Sequence, residues 1–287
     1  GLEVRAYDPV RAAETDLAFF SAGSPVSREA VPPLVEAGVT VIDNSSAFRM
    51  SPGVPLVVPE VNGRLLEEDP PPHLIANPNC STAQLVCALA PLDEAFGLDE
   101  VTVSTYQSVS GTGRRAIRAL QHEEGHPGTR WEESPYPRPI ARNLLAEIGA
   151  FDKAGHGEEE TKLRRETRKI LFREDLPIHA TAVRVPTLRG HGESVTVRLA
   201  RGIDRGEAFE VLARAEGVTA VGGYTTPLEA GGRRDVFVGR IRLDPDDDRI
   251  LQFWVMSDNL LKGAAWNAVQ IAAVLGMLPA VPEARGE

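Results

Sequence analysis

The sequence predicts an α/β chain in two parts: a parallel sheet covered on both faces, then an α+β domain of longer strands. Three observations predict it. Residues 16–80 alternate short apolar runs with polar turns, and from about residue 98 the runs lengthen and alternate in polarity. Between them Leu85, Val86, Leu89, Leu92 and Phe96 repeat at helical spacing. With 287 residues, 42% of them hydrophobic, the chain is long enough to bury two cores.

In the first part the strand-forming runs are 17–20, 39–43, 56–58 and 74–76, with one helical stretch over 28–37. Near-continuous apolar strands joined through a helix suggest parallel pairing. The segments Ser21-Ala22-Gly23, 44–49, 59–62 and 77–80 then fall at the carboxyl ends of strands, where open α/β sheets bind ligands. In the second part, 101–105, 181–186 and 194–199 read as strands of a mostly antiparallel or mixed sheet with one covered face. The runs 236–243 and 250–256 flank the turn-rich 244–248, which suggests a hairpin. A broadly apolar helix over about 259–275 completes the pattern.

Composition narrows the function classes. Two cysteines exclude a disulfide scaffold and fit a reducing cytosol. No apolar run approaches the ~18 residues of a membrane span, and no basic-then-apolar leader opens the sequence. A net charge of −10 without a basic stripe argues against nucleic acid, while a small polar substrate held by a few placed cations remains compatible. Gly111-Thr112-Gly113-Arg114-Arg115-Ala116 fits G-x-G-x-x-A, but the loop-rich residues that follow offer no second strand for a βαβ unit. Asp244, Asp246 and Asp248 imitate a calcium loop, yet Arg249 and Val255 stand where glycine and glutamate are needed. Both matches are set aside.

The chemistry concentrates around Asn77-Pro78-Asn79-Cys80-Ser81-Thr82. Cys80 stands where a strand turns into a helix, so unpaired N–H groups and the positive end of the dipole converge on it. Those features favour a thiolate and can hold a developing oxyanion, as a nucleophile requires, although a small buried cap residue is the plainer reading. Cys87, seven positions on and about 10 Å along the helix, reads as packing. Gln107 presents an amide after a strand, or is a simple turn residue. Glu158-Glu159-Glu160-Thr161-Lys162 opens a charged helix in which Glu158 with Lys162 and Glu160 with Arg164 form i,i+4 pairs, and most of this run reads as a solvated face. Arg184, between apolar neighbours in a strand, needs an anion: either a structural carboxylate or a bound one. His191, between Gly190 and Gly192, is an exposed loop residue or a titrating group that the backbone approaches closely. Arg49 is a surface arginine or an anion ligand facing the same crevice as Cys80. The other five histidines show no paired metal-ligand spacing, so no metal site is expected.

These blocks, in this order, resemble the aspartate-β-semialdehyde dehydrogenase family from about Asp16 to Leu275. Further matching stretches are Phe19-Phe20-Ser21-Ala22-Gly23, Val41-Ile42-Asp43-Asn44-Ser45-Ser46-Ala47-Phe48-Arg49 and Val57-Val58-Pro59-Glu60-Val61-Asn62. They continue with Thr105-Tyr106-Gln107-Ser108-Val109-Ser110-Gly111-Thr112-Gly113, Arg184-Val185-Pro186, Gly190-His191 and Asp258-Asn259-Leu260-Leu261-Lys262-Gly263. The resemblance implies a Rossmann-like NAD(P) domain over 1–79 with 259–278, a catalytic and dimerisation domain over 80–258, and a homodimer in the cytoplasm. It implies NADPH-dependent conversion of L-aspartyl 4-phosphate to L-aspartate 4-semialdehyde through a cysteine thioester, in lysine, methionine and threonine biosynthesis, including the diaminopimelate branch.

Residue by residue, the resemblance makes Cys80 the nucleophile, His191 the acid–base group and Gln107 the residue that positions the acyl group. It gives Arg49, Asn79 and Lys162 to phosphate, Glu159 to the substrate ammonium, and Arg184 to the substrate's amino-acid end. Ser21, Ala22, Gly23, Ser45, Ser110, Gly111 and Asn259 fall to NADP. The alternatives are N-acetyl-γ-glutamyl-phosphate reductase, whose motif reads Asn-Pro-Gly-Cys-Tyr where Asn79 and Ser81 stand here, and a non-catalytic truncated paralogue. Gly1 to Arg5 contain no initiator methionine and no strand–glycine–helix opening. The family's amino-terminal glycine-rich loop is therefore expected to be missing, NADPH binding to be weak, and a sheet surface near Leu17 to Phe20 to be uncovered.

Overall fold

The computed structural model describes residues 3–67 and 69–278, and the chain divides into two compact units, 1–78 with 267–287 and 79–266. In the first unit, β1 (Leu17–Phe20), α1 (Ser24–Glu36), β2 (Thr40–Asp43) and β3 (Leu74–Ala76) form a three-stranded parallel sheet in the order β1-β2-β3. All four residues of β2 are buried because this strand is central, and β1 is an edge. Ile42, Val57, Leu66 and Ile75 pack with Ala268, Ile271 and Ala272 of the last helix on one face, and Val31, Leu34, Val39 and Val41 pack on the other. Residues 56–58 do not form a full strand. Leu56 bridges Ala76, and Pro59 then starts a short helix, since a proline cannot extend a ladder but suits a first helical turn. α1 begins four residues before the expected 28, because Pro25 also fits a first turn, and it accommodates Pro32 and Pro33 in its body.

In the second unit, α2 (Cys80–Phe96) is followed by β4 (Leu98–Gln107), α3 (Arg114–Gly125), α4 (Glu158–Leu171), β5 (Ile178–Arg184), β6 (His191–Leu199) and α5 (Arg205–Arg214). The unit then continues through β7 (Val218–Ala220), β8 (Val236–Leu243) and β9 (Ile250–Ser257). The strands make one mixed sheet in the order β5-β4-β6-β9-β8-β7, with β4–β5 and β7–β8 parallel and the other pairs antiparallel. α2 is buried along most of its length and covers one face of the sheet, against β4, β6 and β9. On the other face, Thr102 and Tyr106 remain exposed and Tyr106 meets Trp254, with ring centroids 5.5 Å apart.

The unit boundary corrects one expectation. Residues 259–266 belong to the second unit, not the first. Asn259 is bonded to Ser108, Ser110 and Gly190, and Gly263 rests on Cys80, so tertiary contacts hold this segment in place. The expected single helix is likewise split, into a π turn (Leu261–Ala265) and the helix Trp266–Val274.

Candidate active site

Strand register builds the site. Gln107, last in β4, pairs with Arg184, last in β5, on one side and with His191, first in β6, on the other; His191 in turn pairs with Ser257 of β9. Arg184, Gln107, His191 and Ser257 thus form one buried row across four strands. The start of α2 is tied to this row: Gln107 Nε2 donates to Ser81 Oγ at 2.7 Å, and Gln84 Nε2 donates to the His191 carbonyl at 3.2 Å. Asn79 caps α2, its Oδ1 accepting from the N–H groups of Ser81 (2.9 Å) and Thr82 (3.3 Å). Cys80, the first helical residue, is half-buried at the positive end of a 17-residue helix, a place that favours a thiolate.

α4 supplies the carboxylates. Glu159 accepts from Asn79 Nδ2 at 2.8 Å and from Gln107 Nε2 at 3.2 Å, and lies 3.9 Å from Lys162 Nζ. Lys162 is closer to Glu158, at 2.7 Å, which realises that i,i+4 pair. Glu160 instead bonds the N–H groups of Gly157 and Ala182, so no Glu160–Arg164 pair forms. Glu166, part of the run read as a solvated face, is buried and accepts the Asn79 N–H at 2.7 Å.

His191 is fully buried, so the exposed-loop reading is overturned. Burial and the nearby Arg184 charge, against a smaller opposing bond from the ring to the Gly190 carbonyl, leave its pKa lowered to about 3. Arg184 donates to the Ser108 carbonyl at 2.6 Å, while its Nε has no partner. No carboxylate among the described residues pairs with Arg184, so the structural salt bridge is absent and the guanidinium is available to an arriving anion. A Cβ added at Gly111 would stand 3.1 Å from His191 Nε2 and 3.2 Å from Arg184 Nη1, so only glycine leaves both groups open. Ser108, Ser110 and Asn259 form a hydroxyl–amide cluster beside His191 Nδ1.

Arg49, Ser21, Ala22, Gly23 and Ser45 lie in the first unit. Arg49 is buried and donates to the Asn44 carbonyl at 2.9 Å. Ser45 is held by Asp43 through its N–H (3.0 Å) and hydroxyl (2.7 Å). Gly23 has φ of 91° at the start of α1, which no side chain caps. Two of the remaining histidines, His122 and His126, do stand four apart, contrary to the expected lack of pairing. Their rings stack at 4.6 Å, and no group of three or more possible metal ligands gathers among the described residues.

Two residues that sequence reasoning passed over carry testable consequences. Gly263 packs so closely that an added Cβ would fall 2.6 Å from Cys80 Cβ and 3.0 Å from its Cα, in part a backbone contact that cannot swing aside. Gly263→Ala should destabilise the fold by ~1–3 kcal/mol and displace Cys80, seen as a lower Tm together with slower alkylation of the thiol. Glu193 is fully buried on β6 under α2, with both oxygens lacking a protein partner in hydrogen-bonding geometry. Burial pushes its carboxyl well above the usual range, and Gln84 offsets only part of this. Above the unfolded value near 4.5 the unfolded chain releases a proton that the folded chain retains, so this group costs stability as pH rises. Glu193→Gln should therefore raise Tm more at pH ~8 than at pH ~5; an equal shift at both would refute the buried neutral acid.

Comparison with known proteins shows the family. Residues 1–68 match the family model "Semialdehyde dehydrogenase, NAD binding domain", and residues 89–262 match "Semialdehyde dehydrogenase, dimerisation domain". These matches define a semialdehyde dehydrogenase. The aspartate-semialdehyde dehydrogenase of Aquifex aeolicus is 46% identical over 270 residues, 91% of this chain and 79% of the relative. The crystal structure of aspartate semialdehyde dehydrogenase II complexed with ASA from Vibrio cholerae superposes with a TM-score of 0.88 at 39% identity, over 92% of this chain and 80% of that one. Aspartate semialdehyde dehydrogenase with NADP from Candida albicans has a TM-score of 0.71 at 26% identity, over 92% and 78%. The chain belongs to the aspartate-semialdehyde dehydrogenase family.

Proposed function

We propose that this chain catalyses reductive dephosphorylation of L-aspartyl 4-phosphate to L-aspartate 4-semialdehyde, with NADPH, through a thioester on Cys80. The observation that carries the reading is the row Arg184–Gln107–His191 joined to the start of the Cys80 helix through Ser81. On this reading Arg184 is the anion anchor, Gln107 the acyl-positioning amide and His191 the acid–base group, the set that thioester chemistry needs. The ASA-bound relative from Vibrio cholerae supports the substrate.

Cys80 attacks the acyl carbon as thiolate, and the phosphate leaves with the electrons of the broken C–O bond. The positive end of α2 favours the negative charge that develops on the thioester oxygen. Arg184 takes the substrate carboxylate in a bidentate contact and Glu159 its ammonium, so the reactive carbon is oriented as well as bound. Arg49, Asn79 and Lys162 bind the phosphate, and His191 is the acid–base group.

For the cofactor, the uncapped start of α1 at Gly23 fits a phosphate, and Ser21, Ala22, Ser45, Ser110, Gly111 and Asn259 complete its site. Bound NADPH supplies the hydride that reduces the thioester. The preference for NADP draws support from the NADP-bound relative of Candida albicans. We further infer a cytoplasmic homodimer, in which the exposed sheet face around Tyr106 and Trp254, within the matched dimerisation domain, is covered.

The test is phosphate-dependent NADPH formation from L-aspartate 4-semialdehyde, run beside N-acetyl-L-glutamate 5-semialdehyde. Turnover of the first alone is expected, and turnover of the second alone would replace this reading with N-acetyl-γ-glutamyl-phosphate reduction.

A further inference from the structure

Asn79, the residue that presents Cys80, has each of its polar groups bonded within the fold. Its carbonyl accepts the Ala83 N–H at 2.9 Å, the first bond of α2, and its Oδ1 accepts from Ser81 and Thr82. Its Nδ2 donates to Glu159 at 2.8 Å. The remaining group is its own backbone N–H. In a capping box a helix satisfies that donor with a Glu or Gln at its third position. Here the third position is Thr82, whose Oγ1 is buried and has no partner among the described residues. α2 thus lacks its own acceptor for the cap residue. Glu166 of α4 takes the part: its Oε2 accepts the Asn79 N–H at 2.7 Å, 87 positions away in the sequence.

Glu166 is buried, and a buried carboxylate needs compensation. Lys169, three residues on, supplies it: burial lowers the Lys169 pKa, and the Glu166 charge works against that. Glu159 and Lys162 repeat the same spacing two turns earlier, on the same face of α4. The two carboxylates therefore hold Asn79 at two points, Glu159 its side-chain amide and Glu166 its main chain. Cys80 follows in the next peptide. Gly263 closes on it so nearly that an added Cβ would fall 2.6 Å from Cys80 Cβ. The backbone of Cys80 is thus fixed from two sides before any substrate arrives.

We propose that Glu166 is a positioning residue for the nucleophile, completing from a neighbouring helix the cap that α2 cannot close and so fixing the peptide that aims Cys80. The proposal rests on the thioester reading above. Glu166 acts through Asn79 and touches neither substrate nor cofactor. Without it the Asn79 N–H is left buried and unbonded, and the turn gains by rotating toward another acceptor and carrying Cys80 with it. The effect falls on kcat. Arg184 still holds the amino-acid end of the substrate, while the attacking sulfur no longer meets the acyl carbon in line.

The experiment takes the full chain as Glu166→Gln, Glu166→Asp and Glu166→Ala. Each is followed by thermal unfolding, steady-state kinetics and iodoacetamide alkylation of Cys80 in a Cys87→Ala background. Glutamine keeps an acceptor oxygen within reach of the Asn79 N–H and should hold kcat within roughly fivefold of the parent. Alanine removes the acceptor, and kcat should fall by roughly 10²-fold, the scale of a misplacement of about 1 Å. Aspartate withdraws the acceptor by one methylene and should lose roughly tenfold or more. The thiolate itself is kept, so alkylation at high pH should stay within about threefold of the parent in all three. Lost turnover with an intact reactive thiol is a combination that a merely structural carboxylate would not produce. A lower Tm with kcat nearly unchanged in the aspartate and alanine variants would overturn the proposal. Equal losses in the glutamine and alanine variants would also overturn it, by assigning the effect to charge and not to the acceptor. Should the alanine variant not fold, aspartate against glutamine decides by the same criteria. Hydrogen exchange of the Asn79 N–H needs no turnover: it should be slow in the parent and roughly tenfold or more faster in Glu166→Asp. Fast exchange in the parent would refute the clamp, whereas a parent that proves independent of Cys80 would remove the thioester reading and leave the exchange result standing.

Discussion

Cys80→Ala is expected to abolish phosphate-dependent oxidation of aspartate semialdehyde, with kcat falling by roughly 10⁴-fold or more, the scale seen when a nucleophile is removed. The size follows from the absence of a substitute. Cys87 is buried in the body of α2, two turns further along the helix, and Ser81 Oγ already accepts from Gln107. The fold should survive, because the cap that starts α2 comes from Asn79 and the anchor from Glu166, not from the thiol. Cys87→Ala should do the reverse: removing a buried sulfur from an apolar helix lowers Tm and leaves kcat nearly unchanged. Turnover of Cys80→Ala within tenfold of the parent would eliminate it as the nucleophile.

Much of this site is legible in the sequence, and the gaps have physical reasons. The β1 and β3 spans follow from their apolar runs, and the start of α2 follows from Asn79 and Pro78. In β6, the parity that sends Val195, Val197 and Leu199 inward also sends His191 and Glu193 inward, a signal that appears once the alternating run is extended back from Ser194. Glu159, Leu163, Glu166 and Ile170 recur at helical spacing, so the buried stripe of α4 was present, although its dense charge resembles a solvated face. The Ser108 N–H, which donates to His191 Nδ1 at 3.1 Å, left no trace, because any residue but proline supplies such a donor. The π turn at Leu261–Ala265 was equally hidden, since it depends on how closely Gly263 meets Cys80. Sequence patterns report on faces and caps; they are silent about contacts made by backbone atoms across the fold.

Arg184→Lys should lower kcat/KM by ~2–4 kcal/mol, about thirty- to several-hundred-fold, while thermal stability holds. An arginine fork meets a carboxylate with two parallel bonds, and an ammonium on a flexible stem gives one at best. Stability should hold because this cation has no carboxylate among the described residues to lose, only the bond to the Ser108 carbonyl. The same reasoning makes a sharper demand on Arg184→Leu. A buried charge without a counter-ion is a burden on the folded state, so an apolar side chain of similar reach should leave Tm unchanged or higher while activity disappears. Activity and stability would then move in opposite directions at one position, which marks a group retained for its ligand. Should Tm instead fall steeply in both variants with kcat/KM little altered in Arg184→Lys, the arginine is holding the Ser108 loop and the substrate carboxylate must bind elsewhere.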